Sequence, residues 1–185
     1  MVIATEGILD EQKATVEFQS AYADMMRKLT APGFIAALCA HEAAHLVYYE
    51  MMGPIQYVAL PPRLEYNPER QRFTGHFAAI QLVEEPLCEP DQWREYIVMM
   101  ANAHAAGGVV ARKLYPASSG GDEIDKENFR TLCADLTRHF GGISIDVEFC
   151  WRRAQDTVKK QLEEDPNIMK MIQQRAMELR PLFGF

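Results

Sequence analysis

The sequence is poor in the features that announce several classes of protein. Its four cysteines, Cys39, Cys88, Cys133 and Cys150, are scattered and form no CxxC pair. That excludes a cysteine-built zinc site and argues against a disulfide framework; the thiols read as reduced and mostly buried. Positive charge is in deficit, with 19 Lys and Arg against 26 Asp and Glu and a net charge of −7. A nucleic-acid surface as the main business does not fit that balance. No apolar run reaches the ~18 residues a membrane-spanning helix needs. The N-terminus shows no basic segment followed by an apolar core, so no signal peptide is visible and the cytoplasm is the expected compartment. There is no GxxxxGK[ST] phosphate loop, no repeat and no low-complexity stretch.

What is present is concentrated in Phe34 to Gly53, FIAALCAHEAAHLVYYEMMG. His41-Glu42-Ala43-Ala44-His45 is an HExxH pattern. On a helix, residues four apart share a face, so both imidazoles can reach one metal ion. Glu42 falls between them and can take a proton from a water that the ion activates. The flanks supply the helix: Pro32 and Gly33 can start it, and Gly53 followed by Pro54 closes it. Ile35, Leu38, Cys39, Leu46 and Val47 make it a buried or nearly buried helix. Buried charge and unpaired imidazole are costly, and a metal would compensate them. The plainer alternative is a pair of core histidines with backbone partners.

The rest of the chain reads as mainly α with a small β-sheet, an α+β single domain over residues 1–185. Asp10 can cap a helix to about Leu29, after a loose lead-in, with Phe18, Tyr22, Met25 and Leu29 at helical spacing. Pro54 to Pro61 and Phe73 to Leu82 are strand candidates around a polar loop of residues 62–72. Asp91 can cap a long helix to about Leu114, and the small Ala101, Ala105 and Gly108 let another helix pack close. Pro116 to Gly121 reads as a turn, and a helix follows from near Asp122 to Phe140. One or two more helices follow from Ile143, with a break at Asp165-Pro166. The last is amphipathic.

A catalytic zinc usually has three protein ligands and one open position. The HExxH helix supplies two. Asp122, Glu123, Asp125, His76 and His104 are candidates for the third. The three acids also suit a helix start, where carboxylates satisfy free N–H groups and the helix dipole. His104 lies on an apolar face, where a satisfied core histidine is the simpler expectation.

Taken in order, these segments resemble the peptidase domain of the FtsH-type ATP-dependent zinc metalloproteases. HEAAH stands where that family has HEAGH. VALPPR (Val58 to Arg63) and FTGHF (Phe73 to Phe77) are similar to its Pro-Arg-Gly turn and Leu-Gly-Tyr-Thr segment. Gly107-Gly108-Val109-Val110-Ala111-Arg112-Lys113 stands in place of its Gly-Gly helix. SSGGDEIDKENF (Ser118 to Phe129) occupies the place of its Gly-rich turn ending in Asp. The resemblance covers about residues 33–140, a metallopeptidase-like core, with residues 10–29 and 143–185 as packing helices.

The resemblance implies a zincin-like helical peptidase domain that binds zinc through His41 and His45, with Glu42 as base and a peptide or protein as substrate. It implies a third zinc ligand from the Asp turn. Asp125 is preferred, because it sets Phe129, Leu132, Cys133 and Leu136 in the apolar positions that follow. Asp122 matches the end of the Gly-rich turn and stays as the alternative. The implied edge strand beside the site could bind an extended peptide. The chain departs from the family in lacking the ATPase domain and membrane anchor, and its Gly-Gly helix lacks the family's Arg and Glu pair. A homo-oligomer or a separate partner protein is the assembly expectation that goes with the resemblance. The competing expectation is a metal-stabilised binding or regulatory module without catalysis.

Overall fold

The protein is described by a computed structural model covering residues 4–84, 86, 88–116 and 122–185, with side chains from residue 15 onward. Six helices and four short strands run in the order α1 (Ala4–Leu29), α2 (Phe34–Glu50), β1 (Tyr57–Leu60), β2 (Arg63–Asn67), β3 (Arg72–His76), β4 (Ala79–Leu82), α3 (Trp93–Leu114), α4 (Asp122–Phe140), α5 (Val147–Glu164) and α6 (Pro166–Leu182). The architecture is α+β, mainly helical with two small antiparallel sheets. No described helix is long and apolar enough to cross a membrane.

Helix α2 is the centre. Ala37 and every residue from Cys39 to Tyr49 are buried on it. A helix that is apolar almost all round must be covered on all sides, and α3 and α6 supply the broadest cover. Gly33 precedes α2 with φ +80°, a left-handed conformation open to glycine at no steric cost. Helix α3 is rich in small buried residues, Ala101, Ala103, Ala105, Ala106, Gly107 and Gly108, and Gly107 is a point of close approach to α2. It also carries α4 and α5 on other sides. Phe129 of α4 is fully buried, with the rings of His104 (6.0 Å) and Trp151 (6.2 Å) on either side.

Caps fix the last two helices. Asp146 accepts from Phe149 N–H at 2.9 Å, and Asp165 accepts from Asn167 N–H at 2.9 Å with Pro166 opening α6. Each satisfies an amide that the helix start would leave bare.

Several boundaries differ from the sequence expectation. Helix α1 starts at Ala4, so the expected lead-in is helical from there and Asp10 lies inside the helix. Asp91 does not cap α3; Gln92 holds that position without a side-chain bond. The expected loop contains β2, in which Leu64 and Tyr66 are half-buried and Arg63 and Glu65 are exposed. The expected second strand is two strands, β3 and β4. β1 pairs with β4, from Tyr57 opposite Leu82 to Leu60 opposite Ala79, and β2 pairs with β3. The turn between β2 and β3 closes through Asn67 Oδ1, which accepts from Arg70 N–H at 2.9 Å. Tyr66 and Phe73 on that hairpin meet Phe18 of α1 at 5.1 and 5.7 Å between ring centroids. The expected turn at Pro116 to Gly121 lies outside the described residues apart from Pro116.

Because Phe129 fills the α3–α4–α5 junction, Phe129→Ala is expected to destabilise the protein by about 3–5 kcal/mol through lost burial and a residual cavity. Urea unfolding measures it. A loss under about 1 kcal/mol would mean that the junction collapses around the gap.

Candidate metal centre

Four residues apart on α2, His41 and His45 turn the same ring atom into one space, their Nε2 atoms 3.0 Å apart. Asp125, in the first turn of α4, brings Oδ2 to 3.1 Å from His41 Nε2 and 3.5 Å from His45 Nε2. These three side chains form a group whose ligand-type atoms all lie within 4.8 Å of one another, and such a group could hold a metal ion. The histidines are buried and Asp125 is largely so.

The donor set fits a cation. His45 Nδ1 lies 2.7 Å from the carbonyl oxygen of Ala103 on α3. A carbonyl only accepts, so Nδ1 carries a proton, and once the ring gives up the proton on Nε2 that nitrogen offers its lone pair to a cation. Asp125 Oδ2 is sealed from solvent, and no donor meets it in hydrogen-bond geometry. A buried carboxylate oxygen without an aligned donor is costly, and an ion between it and the two imidazoles would satisfy all three atoms. The backbone leaves room because residue 107 is glycine. A Cβ there would stand 2.7 Å from His45 Cε1 and 2.8 Å from His41 Cε1.

Glu42 is buried beside this group. Its Oε2 accepts from the backbone N–H of Ile80 on β4 at 3.0 Å, so strand and helix are joined at the site. Burial pushes the Glu42 carboxyl up, against the downward pull of the His45 and His41 imidazoles. Burial pushes Asp125 the same way, but the two imidazoles outweigh it and hold that carboxyl well below the usual range. Two neighbouring acids are thus driven apart, one towards proton affinity and one towards permanent charge, the usual arrangement of a base beside an electrostatic anchor.

The other expected candidates lie elsewhere. Asp122 does not join the group; it faces Arg112 and Gln155. Glu123 is exposed. His76 ends β3 opposite Arg63. His104 is half-buried near Tyr49 and Phe129, its imidazole lowered to about 4 by burial and by the charge of His45. Three features of the site went unrecognised as such in the sequence: the Ala103 carbonyl, the Ile80 amide and the clearance at Gly107. Only the last had a local signal, since two adjacent glycines inside a helix are costly unless something approaches closely.

Comparison of the chain with protein-family models, with curated proteins and with solved structures finds no match in any of the three.

Two outcomes follow from the geometry. Gly107→Ala drives a methyl group into the imidazoles, and zinc affinity measured by chelator competition is expected to fall at least about tenfold, in the range of losses at supporting residues. An unchanged affinity would mean that α3 shifts freely. The second concerns pH. Burial alone would lower the His45 imidazole, but Asp125 and Glu42 raise it from 6.5 to about 9. In the metal-free chain that proton contributes stability fully present below pH 6.5 and lost as pH rises to about 9. A metal ion bound at Nε2 would have to displace it, so affinity for added zinc is expected to rise through the same window and then level off. A pH-independent affinity across it would contradict the coupling.

Proposed function

We propose that this chain is a zinc-dependent peptidase of the kind its FtsH-type resemblance implies. The observation that carries the reading is the convergence of His41 Nε2, His45 Nε2 and Asp125 Oδ2 beside the buried carboxylate of Glu42. Two imidazoles and one carboxylate are a ligand set that zinc accepts. Three ligands rather than four suit a catalytic site, which keeps a position for water, and no fourth such side chain joins the group among the described residues.

Held by His41, His45 and Asp125, a zinc ion would supply Lewis acidity that makes a water molecule a nucleophile near neutral pH. The chain's own residues do the rest. His45 is held in one tautomer by Ala103, so its lone pair keeps its aim. Asp125 contributes a fixed negative charge that balances the cation. Glu42, made more basic by burial, takes the proton of the attacking water and delivers it to the amine that leaves. The hydrogen bond from Ile80 N–H occupies one carboxylate oxygen and orients the other. It also places strand β4 next to the base, where an extended substrate backbone would run.

One observation favours the second reading, a metal-stabilised binding or regulatory module. The Ile80 bond engages Glu42 in the resting protein. The two readings separate on one variant. Glu42→Gln, like the wild type, is expected to hold about one zinc per chain, but to lose at least about 10²-fold of peptide hydrolysis, the scale of a lost general base. His45→Ala is expected to lose both metal and hydrolysis. Metal in the wild type with no cleavage of a peptide library would favour the binding module. Absence of metal after zinc is offered would sink both.

A further inference from the structure

Asp122 and Asp125 stand three residues apart in the first turn of α4 and face different neighbours. Asp125 reaches the imidazoles of α2. Asp122 is ion-paired to Arg112 of α3 and accepts from Gln155 Nε2 of α5 at 3.4 Å. Its carboxylate also lies directly over Gly108 of α3, where any Cβ would overlap it. Its Oδ1 is sealed from solvent without a hydrogen bond. A carboxylate is held on bare helix backbone by a guanidinium on the same helix and an amide on the next.

We propose that Arg112, acting through Asp122, is the positioning residue for Asp125. The proposal rests on the metal reading of the site. A helix turn is stiff, and three residues advance about 4.5 Å along its axis. Fixing Asp122 against Gly108 therefore fixes both the height and the rotation of the turn that presents Asp125. Its contacts at 3.1 and 3.5 Å to the two imidazoles leave little room: a slide of about 1 Å takes a ligand atom out of coordination range. Arg112 suits the task because its planar guanidinium matches the geometry of a carboxylate. Gly108 suits it because only a missing side chain lets the carboxylate reach the helix surface. Two adjacent glycines in α3 then have separate uses, Gly107 for the imidazoles and Gly108 for the acid that orients their partner.

The test is a double-mutant cycle on zinc affinity, read by chelator competition with the full chain. Arg112→Ala is expected to weaken zinc 10–100-fold, the range for residues that orient ligands. Arg112→Lys, which keeps the charge, is expected to recover part of it. In an Asp125→Ala background the Arg112→Ala effect should vanish, because there is no ligand left to position. Cobalt(II) loaded in place of zinc should give altered visible bands in Arg112→Ala. Should that variant fold poorly, Asp122→Asn keeps the volume and removes the ion pair, with the same expectations. Wild-type affinity in both Arg112→Ala and Asp122→Asn would overturn the proposal and leave the metal reading standing. So would an equal loss with and without Asp125, which would mark a general structural role. A wild type that takes up no zinc would bring down both.

Discussion

Two imidazoles and a carboxylate share a space a few ångströms across between packed helices, and the desolvation of that group is the constraint on which the surrounding structure depends. Charged and polar atoms leave water at a cost of several kcal/mol unless they are paired. Here the group is assembled from different elements, and Asp125 Oδ2 is left for a cation to satisfy. α2 offers His41 and His45, α4 offers Asp125, the α3 backbone accepts from His45, and β4 donates to Glu42. Four segments distant in sequence have to arrive together for the group to be satisfied.

That requirement explains the character of α3. A helix with ordinary side chains would stand off from α2, and its carbonyl at Ala103 would be out of reach of His45. The run of alanine and glycine along it, with Gly107 against the imidazoles, removes the obstacle. The same run costs helix stability, since glycine is about 1 kcal/mol worse than alanine in a helix interior. The helix keeps its form because it is enclosed, with most residues from Tyr96 to Ala111 buried. Close packing here serves the polar group as much as the apolar core.

How much of this the sequence discloses depends on how local each cause is. Helix α2 was readable because its causes are local: apolar residues on every side, a Pro-Gly entry and a Gly-Pro exit. That His41 and His45 face one space followed from helical spacing alone. The choice between Asp122 and Asp125 could not be made locally, since both are first-turn acids and suit the helix dipole equally. Which neighbour each meets is decided by where α2, α3 and α5 lie around α4. Strand β2 was hidden for another reason. Prolines flank Arg63 to Asn67 on both sides, and its alternation of Leu64 and Tyr66 with charged residues is too brief to outweigh them. The partition of Phe73 to Leu82 into two strands depends on pairing with β1 and β2, which no local pattern carries.

The group also joins parts of the chain that are far apart. Both small sheets and the whole of α3 lie between His45 and Asp125 in sequence. An ion held by these residues would close that stretch into a ring, and the closure would remove chain entropy from the unfolded state much as a covalent cross-link does. Stripping the ion would return that loop entropy to the unfolded chain, and α5 and α6, outside the ring, would feel the loss only through their packing on α3 and α2.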